Sequence, residues 1–111
     1  MKPPQLYDIP FVDNVGKHRS AFYYKDDFGV VKLHIGATTI DSSDFTLGGS
    51  LIATLPIGYR PPFQIETQAH FSKNSNTYSG VFIVHTDGRV TVHVNYQTNF
   101  AILDCSFPTS L

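Results

Sequence analysis

The side chains able to do chemistry in this chain are five histidines, a single cysteine and a sparse set of carboxylates. Metal binding is the first chemistry to weigh. Asp87-Gly88 lies between two β-branched runs, the signature of a two-residue type I′ hairpin turn. That turn pairs His85 with Val90, Ile83 with Val92 and Val81 with Val94 on one face, and Val84 with Thr91 and Phe82 with His93 on the other. His85 and His93 then point to opposite faces and cannot share an ion. His34 and His70 stand among polar neighbours on strand-like runs and read as hydrogen-bonding histidines, while His18 lies in a proline-rich N-terminal stretch. With one cysteine, no cysteine-rich zinc site or internal disulfide can form. No metal or cofactor is expected.

Hydrolytic chemistry finds little support. Glycoside cleavage needs two carboxyls across one bond, but Glu66 is the sole glutamate, and Asp26, Asp27, Asp41, Asp44 and Asp87 sit beside turn glycines or hydroxyl residues. Asp104, between Leu103 and Cys105 inside a strand, reads as a structural acceptor, an inter-subunit partner of an arginine, or a ligand-contacting carboxylate. No Gly-x-Ser-x-Gly turn presents a nucleophile, so a Ser-His-Asp triad has no local support, and no glycine loop cradles phosphate. Cys105 shares a face with Ala101, Leu103 and Phe107, the setting of a buried, inert thiol. Catalysis is therefore disfavoured, and binding remains. Tyr78 and Tyr96, with Asn76 and Asn95 beside them, offer flat rings and amide hydrogen bonds of the kind that hold sugars.

These residues need a scaffold, and the composition limits what it is. The 111 residues form one compact domain, 41% hydrophobic and only 15% charged, with a net charge of −1 and no basic stripe. Nucleic-acid and membrane-surface binding are disfavoured. No apolar run approaches the roughly 20 residues that span a bilayer, and Pro3, Pro4, Asp8, Pro10 and Asp13 interrupt any signal-peptide core, so a soluble chain not addressed for secretion is expected. Residues 1–20 read as an arm or linker whose Leu6, Tyr7, Ile9, Phe11 and Val12 lie against the domain or a neighbouring subunit.

From residue 21 to 111 short β-prone runs alternate with turns: Ala21–Lys25, Val30–Ile35, Leu51–Leu55, Gln64–Phe71, the two arms of the Asp87-Gly88 hairpin, and Phe100–Phe107. Thr38–Ser50 reads as a connection with one extended piece near Phe45, and Ser72–Ser79 as a loop. About seven strands and no helix predict an all-β fold, an antiparallel β-sandwich or flattened barrel.

The run Leu55-Pro56-Ile57-Gly58-Tyr59-Arg60-Pro61 resembles a pattern recurrent in tail and baseplate proteins of bacteriophages, above all the receptor-binding head domains of phages of Gram-positive bacteria. The Ile83–Val90 hairpin with Asp87 and Gly88, and the upstream Tyr23-Tyr24-Lys25-Asp26 with Gly29 and Val31, extend the resemblance over residues 21–111. It implies a jelly-roll-like head in a homotrimer at the virion's tail tip or baseplate, made in the host cytoplasm. Such a head attaches to cell-wall polysaccharide or teichoic acid. An alternative is a tail assembly or decoration protein that docks other tail proteins and binds no sugar. The residues of the motif read as structural: Pro56 and Pro61 set the chain direction, Gly58 supplies the turn, and Tyr59 and Arg60 hold the loop.

Overall fold

The computed structural model describes residues 5–39, 45, 49–73, 75–96 and 98–109. Seven strands, β1 (Val15–Lys25), β2 (Val30–Thr39), β3 (Ser50–Thr54), β4 (Ile65–Lys73), β5 (Asn76–Val84), β6 (Arg89–His93) and β7 (Phe100–Pro108), make one antiparallel sheet. Its order is β1-β2-β7-β4-β5-β6-β3. No helix occurs among the described residues.

Alternation explains the curl of this sheet into a half-barrel. Val31, Leu33 and Ile35 of β2, Leu103 and Phe107 of β7, Phe71 of β4, Phe82 and Val84 of β5, and Val90 and Val92 of β6 are all buried in one cluster. A single sheet can bury one face of every strand only by wrapping that face around itself.

Wrapping leaves two edges, β1 and β3, and the N-terminal segment spans them. Tyr7 and Tyr23 exchange backbone hydrogen bonds of 2.9 and 3.0 Å, tying the segment to β1. Five residues on, the Val12 N–H donates to the Ile52 carbonyl at 3.0 Å and the Thr54 N–H to the Pro10 carbonyl at 3.4 Å, tying it to β3. Ile9, midway, is buried in the core. Strand β1 itself starts at Val15, so part of the stretch read as an arm is sheet.

The hairpin register differs from the sequence expectation by one residue. Val84 pairs with Val90, Ile83 with Thr91, Phe82 with Val92 and Val81 with His93. The loop has three residues: Gly88 N–H donates to the His85 carbonyl, His85 N–H to the Arg89 carbonyl, both at 2.9 Å, and Gly88 alone takes a positive φ of 92°. This is a type I turn closed by a glycine bulge, not the two-residue type I′ turn. Core burial decides between them. The observed register sets Phe82, Val84, Val90 and Val92 together inside, whereas the other would set Phe82 against His93 and Val84 against Thr91. The Asp26–Val30 turn is built likewise, with Gly29 at φ 79° and the Asp26 carboxylate accepting from the N–H groups of Phe28 and Val30.

Other boundaries also move. Ser72–Ser79 is not a loop, because β4 continues to Lys73 and β5 begins at Asn76, which places Tyr78 on a strand. In the expected connection Thr38–Ser50, Thr38 and Thr39 belong to β2, Phe45 is buried with its N–H donating to the Thr98 carbonyl at 2.8 Å, and residues 40–44 and 46–48, including Asp41 and Asp44, lie outside the described residues.

The motif at Leu55–Pro61 and the hairpin turn form one unit. Leu55 N–H donates to the Gly88 carbonyl at 2.8 Å, and the Arg60 Nε–H returns to the Leu55 carbonyl at 2.9 Å. Tyr59 meets Tyr23 and Tyr7 edge-on at 5.1 and 5.9 Å between ring centroids, and the Lys25 ammonium lies 4.8 Å over its ring. Burial raises the Tyr59 phenol pKa, aided by a hydrogen bond with Tyr7. Arg60 and Tyr59 thus hold the turn in place.

Candidate functional site

The outer face of β1, β2 and β7 gathers side chains that the linear sequence keeps far apart. Cross-strand pairing sets Phe22 opposite His34 and His34 opposite Asp104. Upstream, the β1 register shifts between Lys17 and Ala21, leaving His18, Arg19 and Ser20 against Gly36 alone. Gly36 permits this, since a Cβ there would lie 2.2 Å from the His18 carbonyl oxygen. Arg19 takes a left-handed φ of 68°. The bulge delivers Ser20 to the edge of the imidazole.

The result is a hydrogen-bonded chain of three side chains. Ser20 Oγ is 2.8 Å from His34 Nε2, and His34 Nδ1 is 2.5 Å from Asp104 Oδ1. A carboxylate only accepts, so a neutral His34 carries its proton on Nδ1 and offers the Nε2 lone pair to the Ser20 hydroxyl. The sequence offers no local support for a Ser-His-Asp constellation, and the tertiary structure nonetheless brings these three side chains together. Its members come from three strands, and no local motif could announce it.

Beside this chain opens a cleft of about 400 Å³ lined by Phe22, Tyr24, Lys32, His34, Asp104 and Ser106. The Phe22 and Tyr24 rings are stacked, 22° apart in plane with centroids 6.3 Å apart, and His34 is tilted against Phe22 at 5.0 Å. Apolar ring faces, a carboxylate, an imidazole, a hydroxyl and an ammonium meet in one open groove. Such a surface can pack apolar C–H groups on its rings and exchange hydrogen bonds through its polar side chains.

The four residues singled out from sequence are partly brought together. Tyr78 and Tyr96 stack at 4.6 Å and 17°, so each occupies one face of the other, and Tyr78 also packs on the core. Asn95 lines a different outward depression of about 530 Å³, with Glu66, Gln68, Ser79, His93 and Ile83. Asn76 is exposed at the start of β5, opposite Lys73.

The histidine pair needs correction as well. In the observed register His85 and His93 share the outer face, and both Nε2 atoms lie 3.0 Å from the Thr91 hydroxyl. Among the described residues no group of three or more His, Cys, Asp or Glu side chains converges on a point.

Cys105 is a free thiol whose pKa is pushed up to about 12, first by burial and then by the Asp104 charge. A raised thiol pKa favours the protonated form in the folded state. That contribution is complete below the unfolded pKa and is lost as pH rises through the folded value. Cys105 is only partly buried, not fully buried as expected, yet with its raised pKa it is expected to react with a disulfide reagent at pH 8 at least tenfold more slowly in the native protein than in 6 M guanidinium; equal rates would contradict that shift.

No protein-family model matches the sequence, and no curated protein matches it. Among solved structures, the crystal structure of the head domain of phage bIL170, described with the receptor-binding domains of lactococcal phages, aligns with a TM-score of 0.77. The alignment covers 97% of this chain and 100% of that one, at 13% sequence identity. The chain has the phage head-domain fold. The head-domain fold accounts for the single curled antiparallel sheet, and the Leu55–Pro61 motif locked to Gly88 is how this sequence builds one end of it.

Proposed function

We propose that this chain is a host-recognition module of a phage tail or baseplate, binding a cell-wall saccharide, either a polysaccharide or a teichoic acid. The observation that carries this reading is the groove on β1, β2 and β7, where stacked Phe22 and Tyr24 adjoin His34, Asp104 and Lys32. The head-domain fold supports it. Tyr96, whose outer ring face is open, and Asn95 are a second, weaker contact, with Tyr78 supporting Tyr96 from behind and Asn76 at the periphery. In a homotrimer at the tail tip, weak sites would add by multivalency.

Retention of the protein on host cell walls tests the proposal. The double variant Phe22→Ala/Tyr24→Ala is expected to weaken retention at least tenfold, since each lost ring stacking contact is worth about 1 kcal/mol. Tyr78→Ala/Tyr96→Ala is expected to weaken it by a smaller factor. Unchanged retention in the first variant, with a native circular dichroism spectrum, would overturn the assignment.

A specific feature favours a second reading, docking to other tail proteins. Phe28 and Ile57 are 91% and 85% exposed, and Lys25 and Tyr59, close to them in sequence, are in contact. Association with tail components but not with host walls would establish that reading instead.

A further inference from the structure

We propose that Ser20, His34 and Asp104 form a hydrolytic triad that cleaves small acyl esters, with O-acylated saccharide as its substrate class. The saccharide part rests on the reading above; ester cleavage does not. Three observations carry it. The hydrogen bonds run in the order nucleophile, imidazole, carboxylate, with Asp104 fixing the tautomer that leaves Nε2 free to accept the serine proton. Ser20 follows a residue in left-handed conformation, within a bulge that only Gly36 admits, so its placement is specified by the backbone.

The third observation is the pair of cavities that meet at His34. On one side lies the aromatic groove of about 400 Å³; on the other, a depression of about 180 Å³ lined by His18, Arg19, Ser20, His34, Gly36 and Ile102. The larger suits a sugar ring and the smaller an acetyl-sized group, so an ester linking the two would lie across Ser20 and His34. Arg19 is one of the residues lining the smaller cavity, and its guanidinium is the cationic group nearest in sequence to Ser20 that could stabilise the carbonyl oxygen as it becomes negative.

The chemistry closes without a further reactant except water. Ser20 Oγ attacks the acyl carbon while His34 Nε2 takes its proton, and Asp104 stabilises the imidazolium. The intermediate collapses by breaking the bond to the sugar oxygen, which receives the proton from His34. Water then adds to the acyl-serine, passing a proton to His34, and the carboxylic acid leaves as Ser20 recovers its proton. The Asp104 and His34 side chains are 68% and 30% exposed, so water weakens the electrostatics and a modest rate is expected.

The test uses the whole chain with p-nitrophenyl acetate, a probe that carries no sugar. Nitrophenolate release is expected at about 100 times the buffer rate, the low end of general-base catalysis. It should fall to background in Ser20→Ala and at least about tenfold in Asp104→Asn, which reverses the tautomer. A fluorophosphonate should add one mass increment to the Ser20 peptide of the native protein. Release that is absent, or that persists unchanged in Ser20→Ala with native circular dichroism, overturns the triad, as does a label on any other residue. Acetate release from O-acetylated wall polysaccharide tests the substrate class, and its absence beside ester turnover overturns that class. Ester turnover without wall retention counts against the saccharide reading alone, and wall retention without turnover against the triad alone.

Discussion

Gly88→Ala is expected to destabilise the protein by about 3 kcal/mol or more. Two costs coincide. The residue sits at φ 92°, a conformation an alanine adopts only under strain. Its new Cβ would also lie 2.4 Å from the Leu55 carbonyl oxygen and 2.6 Å from Arg60 Nε. Relief requires the turn to move away from the motif, which breaks the Leu55-to-Gly88 hydrogen bond and displaces the Arg60 side chain that caps Leu55. For a domain of this size about 3 kcal/mol lowers Tm by roughly 12–20 °C. Thermal unfolding followed by circular dichroism checks this, and a fall under 3 °C would show that turn and motif are not locked. Gly58→Ala is the informative comparison. It too has positive φ, at 96°, but nothing lies within 4 Å of its Cβ position, so only the backbone cost of about 1 kcal/mol remains.

Deleting residues 1–13 is expected to abolish cooperative folding or leave a chain that aggregates at micromolar concentration. The segment buries Ile9, worth about 1.5–3 kcal/mol, and makes four backbone hydrogen bonds to the two edge strands, worth about 1 kcal/mol each. Together these rival the 5–15 kcal/mol that holds a typical domain folded. Deletion also opens β1 and β3, and unpaired edges recruit other chains. A native-like sharp transition in the truncated protein, with a Tm within 5 °C of the full chain, would contradict the bridging role. Ile9→Ala alone should cost about 2–4 kcal/mol and serves as the milder version.

The two hairpins show how far residue patterns reach. Asp87-Gly88 and Asp26-Asp27-Phe28-Gly29 mark both turns correctly, and alternation in Val31, Leu33 and Ile35 marks the buried face of β2. The register of the second hairpin was not legible from the dipeptide. Asp-Gly serves a two-residue turn and a glycine-bulged three-residue turn alike, and the choice depends on which side chains the rest of the barrel can bury. That single step moved His93 onto the face of His85 and ended the argument that had kept them apart. Tyr78 and Tyr96, expected on loops, do meet, yet one of them belongs to a strand because β4 continues to Lys73 and β5 begins at Asn76.

Fold class, strand number and the structural character of the Leu55–Pro61 motif follow from the sequence by itself. Each depends on local alternation, turn chemistry and proline geometry, which act within a few residues. Three features belong to the tertiary structure alone: the closure of the sheet by the Tyr7–Val12 segment, the groove walled by Phe22 and Tyr24, and the meeting of Ser20, His34 and Asp104. The last pair lies 70 positions apart. Such contacts arise from strand order and from one bulge opposite Gly36, and both are settled by how the whole chain buries its apolar face.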